Sequence, residues 1–394
     1  MERLNLLDPR VRQNPYPYYA ELRRSAPVAF VDPGVWAVSR YDDIVSVLKN
    51  PSVFSSQGLK AAAIQPWLRE NPLAESLVMT DPPSHTASRA LVTHAFTSRV
   101  LPRIEPLARQ VSAEFAARAK RGLEVDICQE LSATLPAKVI ANLLGLDGTL
   151  VEKFRVWSED IVAVTPATPE AARPRIIESV AELSRYLTEV YTDRKRARRD
   201  DLASDLLDAE VDGQRLSESE FVSFMFLLLV AGFETTTHLL TNSMRILADR
   251  PDLLGRLREH PASIPAFVEE VLRFEPSVHG TMRLVTRDTE LAGVVLPAGS
   301  LVVALLGSAG RDESRFEDAD RFDMDRDRRP NLAFGHGIHF CLGAPLARAE
   351  ARIALEELLP HVKSIHVTEE PTWNYALTVR GALRCRIRFE PMGT

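Results

Sequence analysis

The residues best suited to chemistry lie in a glycine-rich loop near the C-terminal end of the chain. Residues 334–345 read FGHGIHFCLGAP, and an amphipathic helical pattern follows over 346–359. The glycines let the backbone approach another group closely. Cys341 stands just before the predicted helix, where the partial positive charge of a helix N-terminus favours a thiolate. The loop therefore predicts that Cys341 is a metal ligand or a nucleophile.

Three other interpretations fit the residues of this loop less well. A dinucleotide-binding G-x-G-x-x-G loop needs glycine where Phe340 stands, so that match fails. A zinc site would use His336, His339 and Cys341, which are crowded within six residues and lack a separated fourth ligand. A buried structural cysteine is the usual role of an isolated cysteine. Here the glycines, a histidine and the helix start around Cys341 disfavour that role.

The longest helical pattern covers 218–249 and begins with a capping box formed by Ser217 and Glu220. Its middle, residues 224–233, is apolar on every face, which is typical of a helix in the centre of a protein. We therefore expect this helix to be the axis of the fold.

Polar residues interrupt the central helix directly after its apolar segment. Gly232 lowers the helical propensity and opens space beside the helix, and Glu234 and Thr235 follow. The Thr235 hydroxyl could bond the carbonyl of Ala231 one turn earlier or face the opened space. Two interpretations remain open: a polar patch where the helix reaches the surface, or an acid and a hydroxyl placed over a cavity to manage protons.

The remaining pattern is mostly helical. Helical spacing of apolar residues covers 17–24, 42–49, 103–120, 131–144, 177–199, 218–249, 265–274 and 345–359. Short β-like stretches cover 28–38, 289–303 and 365–389. No repeat or linker divides the chain. We expect a mostly α protein with small β-sheets, of the α+β class, folded as a single domain over 1–394.

Composition narrows the function class. The chain has 394 residues, 45% hydrophobic and 26% charged, which excludes a disordered protein. Its 48 Lys and Arg against 54 Asp and Glu give a net charge of -6, so no nucleic acid partner is expected. Three separated cysteines predict no disulfide framework. The charged start lacks a secretory signal, and the longest uniformly apolar run, 224–233, is too short for a membrane span. We expect a cytoplasmic protein.

The cysteine loop resembles the haem-binding loop of the cytochrome P-450 family, F-G-x-G-x-H-x-C-x-G. The matching residues are Phe334, Gly335, Gly337, His339, Cys341 and Gly343. In that family the cysteine thiolate is the axial ligand of the iron of haem b, iron protoporphyrin IX, and its electron donation favours cleavage of the O–O bond. The resemblance implies that Cys341 is the iron ligand.

The central helix resembles the family motif A-G-x-[DE]-T-[TS]. It matches at Ala231, Gly232, Glu234 and Thr235. The resemblance implies that the groove at Gly232, beside Ala231, admits dioxygen over the haem. It also implies that Glu234 and Thr235 are catalytic, because they hold the water chain that delivers protons to the distal oxygen.

Two further sets of residues match the family. His85 and Arg89 form its H-x-x-x-R pair, which binds the haem propionates, and Arg283 and His339 resemble the other propionate contacts. The second set of residues belongs to the E-x-x-R motif and to the meander that follows it. The resemblance implies that these residues form a structural network behind the haem and are not catalytic. Its members are Glu270, Arg273 and Arg326.

The resemblance implies a haem-thiolate monooxygenase that inserts one oxygen atom from O2 into a lipophilic small molecule. Hydroxylation or epoxidation of a polyketide, macrolide or terpenoid in secondary metabolism is expected. Electrons would come from NAD(P)H through a ferredoxin reductase and a ferredoxin, because the chain has no room for a fused reductase domain. The ferredoxin would dock near Arg348 and Arg352. The absence of a membrane anchor resembles the soluble bacterial members, and a monomer is expected.

Three other activities are alternatives to a monooxygenase of natural products. A peroxide-driven peroxygenase typically replaces the acid and the threonine, so Glu234 and Thr235 argue against it. A fatty-acid or steroid hydroxylase would share all the motifs and differ in substrate. A non-enzymatic haem carrier or sensor would have no use for the proton-delivery motif.

The substrate pocket is the least constrained part of the site. Candidate lining residues come from the variable regions of the family, and ordinary core packing is the alternative for each. They are Trp67, Leu77, Leu228, Phe233, Val278 and His279. The proline-rich segment 165–174 is expected to be a mobile lid. A mostly apolar lining favours a lipophilic substrate.

Overall fold

The computed structural model describes residues 4–96, 100–164, 168–327, 330–374 and 376–393. The α-helices are α1 Pro9–Gln13, α2 Tyr16–Ser25, α3 Tyr41–Lys49, α4 Gln57–Ala63, α5 Ser84–Ala95, α6 Val100–Ala119, α7 Thr134–Leu144, α8 Val151–Val162, α9 Arg173–Arg196, α10 Leu202–Asp208, α11 Glu218–Asp249, α12 Pro251–Glu259, α13 Ile264–Phe274, α14 Leu306–Ala309 and α15 Ala344–Leu358.

Twelve short strands accompany these helices in the described part of the chain. They are β1 Val28–Val31, β2 Val35–Val38, β3 Phe54–Ser55, β4 Leu123–Asp126, β5 Thr281–Val285, β6 Thr289–Leu291, β7 Val294–Leu296, β8 Leu301–Ala304, β9 Val362–Val367, β10 Thr372–Trp373, β11 Ala382–Arg384 and β12 Arg386–Pro391. The fold is mostly α with small β-sheets, as the sequence predicts.

The contacts divide the chain into two compact units whose segments alternate along the sequence. The first unit contains Met1–Phe54, Ala108–Leu135 and Thr235–Thr394, and the second contains Ser55–Leu107 and Pro136–Glu234. No single point in the sequence separates them. The single domain expected over 1–394 stays a prediction.

The first unit is built around the larger sheet, in which the strands follow the order β1-β2-β8-β5-β3. β1 and β2 form an antiparallel hairpin, β2 runs parallel to β8, and β8 is antiparallel to β5. Buried Val38, Ile44 and Val302 belong to the apolar core of this unit. A separate three-stranded antiparallel sheet has the order β4-β12-β9.

The second unit is helical, and its centre is the packing of α8 and α10 on α9. Aromatic rings pack between α8 and α9. The ring centroids of Phe154 and Trp157 on α8 lie 5.7 and 6.1 Å from the ring centroid of Tyr186 on α9. The buried Asp160 carboxylate accepts a hydrogen bond of 2.6 Å from Ser179 and pairs with Arg175 at 2.7 Å. Apolar packing and the hydrogen bond and ion pair of the buried Asp160 carboxylate therefore fix α8 on α9.

The central helix α11 has the bounds that the sequence predicts. Its capping box is reciprocal, since the Ser217 amide donates to the Glu220 carboxylate at 2.9 Å and the Glu220 amide donates to the Ser217 hydroxyl at 3.3 Å. Among the described residues, α11 is the one helix long and apolar enough to cross a membrane. Its most apolar window is 72% buried within the protein, so α11 is a core helix.

Candidate active site

The cysteine loop is folded by its own backbone hydrogen bonds. The Cys341 amide donates to the Phe334 carbonyl at 3.0 Å, and the Phe340 amide donates to the Gly337 carbonyl at 3.1 Å across a single 3-10 turn. Gly335 and Gly337 have φ of +73° and +71°, a region that side chains rarely adopt. These glycines allow the chain to turn back and present Cys341 just before α15.

Close packing also requires the second of these glycines. A Cβ atom at Gly337 would lie 2.7 Å from the backbone oxygen of Leu48 at the end of α3. At Gly343 a Cβ would be in ordinary contact with the Cys341 sulfur, at 3.9 Å. The loop therefore packs closely on α3 at Gly337.

Cys341 differs from the other two cysteines in its environment. Its side chain is half-buried and stands at the N-terminus of α15. Cys128 and Cys385 are buried, and burial raises the pKa of their thiols to about 12 and about 11. A half-buried thiol at a helix N-terminus, in a glycine cradle, fits the axial ligand of a haem iron.

The described residues offer no support for the zinc interpretation. None of them form a group of three or more His, Cys, Asp and Glu side chains that could hold a metal ion. His336 and His339 therefore do not complete a metal site with Cys341.

The motif of the central helix lies on its accessible face. Leu228, Gly232 and Thr235 are half-buried and Ala231 is exposed, whereas Phe233 is buried. The spacing of the accessible residues places them on one face of α11. They lie in the middle of a 32-residue helix, not where it ends. This placement favours the cavity interpretation of Glu234 and Thr235 over a polar patch at the helix end.

Gly232 has a packing role in addition to the one that the resemblance implies. A Cβ at this position would lie 3.3 Å from the Cδ1 atom of Ile140 on α7. The glycine therefore permits α7 and α11 to approach closely. Its backbone stays partly accessible beside Ala231.

The structure places the four expected propionate contacts on one helix, one strand and one 3-10 turn. His85 and Arg89 lie one turn apart on α5, where His85 is buried and Arg89 half-buried. Burial, and then the charge of Arg89, lower the pKa of His85. Arg283 is buried on β5 and donates to the Thr281 hydroxyl at 2.9 Å. His339 is half-buried at the end of the 3-10 turn.

The structure brings together the three residues of the expected network. Arg273 donates to both carboxylate oxygens of Glu270, at 2.8 and 2.6 Å, and the Arg326 Nε atom lies 3.6 Å from the same carboxylate. Arg273 also donates to the carbonyls of Gly310 at 2.6 Å and Ala319 at 2.8 Å. The guanidinium of Arg273 thus ties α13 to the meander that precedes the cysteine loop.

Replacing Arg273 with alanine is expected to destabilise the fold severely. The substitution leaves the buried Glu270 carboxylate without its main partner, and breaking a buried ion pair in this way costs about 3–5 kcal/mol. The matched control is Arg256→Ala, which removes an exposed pair with Asp325 and is expected to cost at most about 1 kcal/mol. Urea unfolding of both variants measures the difference. Equal losses of stability would contradict the network.

The candidate pocket residues differ in accessibility. Leu228 and Val278 are half-buried, whereas Leu77 and Phe233 are buried. Trp67 is half-buried, and the Arg173 guanidinium lies 5.6 Å from its ring centroid.

The expected lid is described only in part. Residues 165–167 lie outside the described residues, while Glu170–Ala172 forms a 3-10 turn and Arg173 begins α9.

His279 belongs to the core and not to a pocket wall. It is completely buried, with its ring nitrogens 3.5 Å from the Tyr16 hydroxyl and 3.4 Å from the Tyr19 hydroxyl. Burial lowers its pKa to about 4. The ring lies 3.8 Å from the Glu275 carboxylate, which makes His279 part of a buried polar cluster. His279 is therefore a residue of the packed core, and this replaces the expectation that it lines the substrate pocket.

The two basic residues expected to receive a ferredoxin are already paired within the protein. Arg348 donates to Glu269 at 3.2 Å and lies 4.5 Å from the ring centroid of Phe334. Arg352 donates to Glu356 at 2.7 Å. Arg348 therefore packs on the cysteine loop, and the charge of both arginines is partly compensated.

A buried acid on α15 makes the stability of the protein pH-dependent. Glu350 is 2% exposed, and its Oε2 atom has no hydrogen-bond partner among the described residues. Burial raises its pKa from 4.5 to about 8. Because the native pKa lies above the unfolded one, ionisation weakens the native state as pH rises from 4.5 to 8.

Replacing Glu350 with glutamine is expected to remove this pH dependence. The free energy of unfolding of the variant relative to the parent should rise by about 1 kcal/mol per pH unit between pH 5 and 8. Urea titrations at several pH values measure the trend. A difference that does not change with pH would contradict the buried-acid assignment.

The comparisons with known proteins agree with this geometry. The family model "Cytochrome P450" matches residues 31–374. The cyclomarin C epoxidase of Salinispora arenicola is 41% identical and covers 90% of each chain. The erythromycin C-12 hydroxylase of Saccharopolyspora erythraea is 39% identical over 86% of this chain and 84% of the relative.

Among solved structures, CYP109E1 from Bacillus megaterium in complex with testosterone is similar at a TM-score of 0.85. It is 36% identical and covers 95% of this chain and 99% of that one. With Cys341 before α15, the acid and threonine on the open face of α11 and the family match over most of the sequence, the chain belongs to the cytochrome P450 family of haem-thiolate monooxygenases.

Proposed function

We propose that this cytochrome P450 hydroxylates or epoxidises a lipophilic natural product, such as a macrolide or another polyketide or terpenoid. The observation that carries the proposal is the accessible face of α11, where apolar Leu228 and Ala231 stand beside the intact Glu234-Thr235 pair. The relative named as a cyclomarin C epoxidase supports the type of oxidation, and the relative named as an erythromycin C-12 hydroxylase supports both the type of oxidation and a macrolide substrate.

Bound haem would supply the iron chemistry for oxidation of the substrate by dioxygen. Cys341 is the residue that would hold the iron. The N-terminus of α15 stabilises its thiolate. His85, Arg89, Arg283 and His339 would hold the two propionates, because carboxylates at the edge of an apolar pocket need cationic or hydrogen-bonding partners.

Glu234 and Thr235 would deliver protons from the accessible face of α11. A carboxylate exchanges protons with water, and a hydroxyl donates one proton while accepting another. The pair is thus suited to a relay in which Thr235 presents its proton toward the cavity and Glu234 replenishes it. A peroxide-driven enzyme has no need of this relay, which supports the use of dioxygen and of electrons from NAD(P)H.

The electron donor in this proposal is a ferredoxin served by a ferredoxin reductase, and the protein works in the cytoplasm as a monomer. The docking surface is the loop around the exposed Phe340. Because Arg348 and Arg352 are paired internally, they contribute less charge to this surface than their sequence positions imply.

A steroid is the second candidate substrate, favoured by the testosterone complex of the similar structure. The experiment that separates the candidates is a titration of the oxidised protein with erythromycin, testosterone and lauric acid. Binding is measured as the change in absorbance when the haem iron passes from low spin to high spin. Turnover with NADPH and a ferredoxin pair then shows whether one oxygen atom is added. A response to the macrolide supports the proposal, whereas a response to testosterone or lauric acid alone would replace it.

A further inference from the structure

We propose that Ser277 is a positioning residue for proton delivery, because it holds the backbone carbonyl of Thr235. The inference rests on the relay role proposed for the Thr235 hydroxyl. Ser277 lies outside α11, in the segment that follows α13, and no motif of the sequence points to it.

The contact is a direct hydrogen bond from side chain to backbone. The Ser277 hydroxyl donates to the carbonyl oxygen of Thr235 at 2.7 Å, and Ser277 is 5% exposed. In a regular α-helix this carbonyl accepts the amide of the residue four positions later. A carbonyl oxygen has two lone pairs, so the serine is a second donor from outside the helix. Two donors restrict the rotation of the peptide group at Thr235.

The segment that carries Ser277 is itself held firmly. The Ser277 carbonyl accepts the Arg380 amide at 2.9 Å, and Val278 forms an antiparallel bridge with Val379. The Arg380 guanidinium also forms a buried ion pair with Glu275. Ser277 is therefore a rigid point of attachment and not a side chain on a loose loop.

A second bond joins the same segment to α11 about two turns further along. The Asn242 side-chain amide donates to the Glu275 carbonyl at 3.0 Å. The segment 275–280 therefore contacts the helix at Thr235 and at Asn242. This two-point attachment fixes the rotation of the helix at the threonine.

Backbone position controls the hydroxyl because threonine is β-branched and has few χ1 choices. A proton relay needs donor and acceptor within about 2.6–3.2 Å of each other. A misplacement of 1 Å can reduce the rate about 100-fold. Losing the Ser277 bond should therefore impair proton delivery through the position of Thr235.

The test uses carbon monoxide as the probe, because the infrared band of bound carbon monoxide reports polar groups near the iron without any substrate. The variants are Ser277→Ala, which removes the donor, Ser277→Cys, which keeps the size with a weaker donor, and Ser277→Thr, which restores the hydroxyl. Ser243→Ala is the matched control, since this buried hydroxyl bonds the carbonyl of Leu239 at 2.8 Å on the same helix. Thr235→Ala gives the shift of the carbon monoxide band that complete loss of the Thr235 hydroxyl produces.

We expect Ser277→Ala to shift the carbon monoxide band in the direction of Thr235→Ala, by at least half as much. NADPH-driven reduction of dioxygen should release several-fold more hydrogen peroxide per NADPH. Ser277→Cys should show a smaller change, and Ser277→Thr and Ser243→Ala should match the parent. In the Thr235→Ala background, Ser277→Ala should add nothing.

Three results would overturn the inference. The first is a parental band in both Ser277→Ala and Ser277→Cys while Thr235→Ala shifts it, which leaves the proposed function intact. The second is an equal shift in Ser243→Ala, which would show a general effect of helix packing. If Thr235→Ala itself changes neither the band nor the peroxide yield, the relay role fails, and the inference fails with it. If Ser277→Ala does not fold, the carbon monoxide band of Ser277→Cys tests the inference in its place.

Discussion

Replacing Cys341 with serine is expected to abolish monooxygenase turnover, with a loss of more than about 100-fold, since even groups that only orient a metal ligand are worth about 10–100-fold. Serine keeps the size of the side chain and the loop geometry but cannot supply a thiolate at neutral pH. The measurements are haem content and product formation with NADPH and a ferredoxin pair. Any haem that the variant retains should lack the spectrum of thiolate ligation.

The control for this variant is Cys128→Ser. Cys128 is buried, and its thiol lies 3.4 Å from the Ala382 carbonyl, so it shares the residue type of Cys341 but lies apart from the cysteine loop. We expect the control to keep both the spectrum and the turnover. Parental turnover in Cys341→Ser would show that another residue holds the iron.

Thr235→Ala is expected to separate electron consumption from product formation. Positioned acid–base groups contribute typically about 100-fold or more, so product formation should fall by about that factor while NADPH consumption continues. The electrons from NADPH that do not form product should be recovered as hydrogen peroxide, because protons are no longer delivered correctly to the distal oxygen. Parallel assays of NADPH, product and peroxide measure the partition.

Thr241→Ala is the matched control for the relay threonine. This residue lies on the same helix, and its hydroxyl bonds the Thr237 carbonyl at 3.0 Å and lies 3.8 Å from the Cys128 sulfur, so its role is structural. Coupling should be unchanged in this variant. If Thr235→Ala forms product as efficiently as the parent, the proton-relay assignment is wrong.

Most of the helical framework could be predicted because its signals are local. The bounds of α11 follow from a capping box at Ser217 and a proline at position 251, and the structure has the same bounds. The helix predicted over 131–144 differs at its start, because Cys128–Ala133 forms a π turn and α7 begins only at Thr134. Helix α8 is not among the helices that the sequence predicts.

The candidate site could be predicted where a short motif imposes its own geometry. Gly335 and Gly337 need positive φ for Cys341 to turn back onto Phe334, and only glycine adopts that conformation readily. The network of Glu270 with Arg326 is non-local, and the sequence indicated it only through resemblance. Its geometry depends on the meander, which no local pattern specifies.

The remainder depends on contacts between residues distant in sequence. His279 follows Val278, and nothing local shows that Tyr16 and Tyr19 enclose its ring. The bond from Ser277 to Thr235 joins positions 42 residues apart. Burial and pairing of this kind arise from tertiary packing, which overrides what neighbouring residues indicate.

The central claim is that this chain holds haem through the Cys341 thiolate, and one spectrum tests it directly. The purified protein is reduced with dithionite, exposed to carbon monoxide and compared with the reduced protein alone. The account predicts the strongly red-shifted Soret band that thiolate ligation produces. A band at the position typical of histidine ligation, or no haem band in protein loaded with haem, would contradict it.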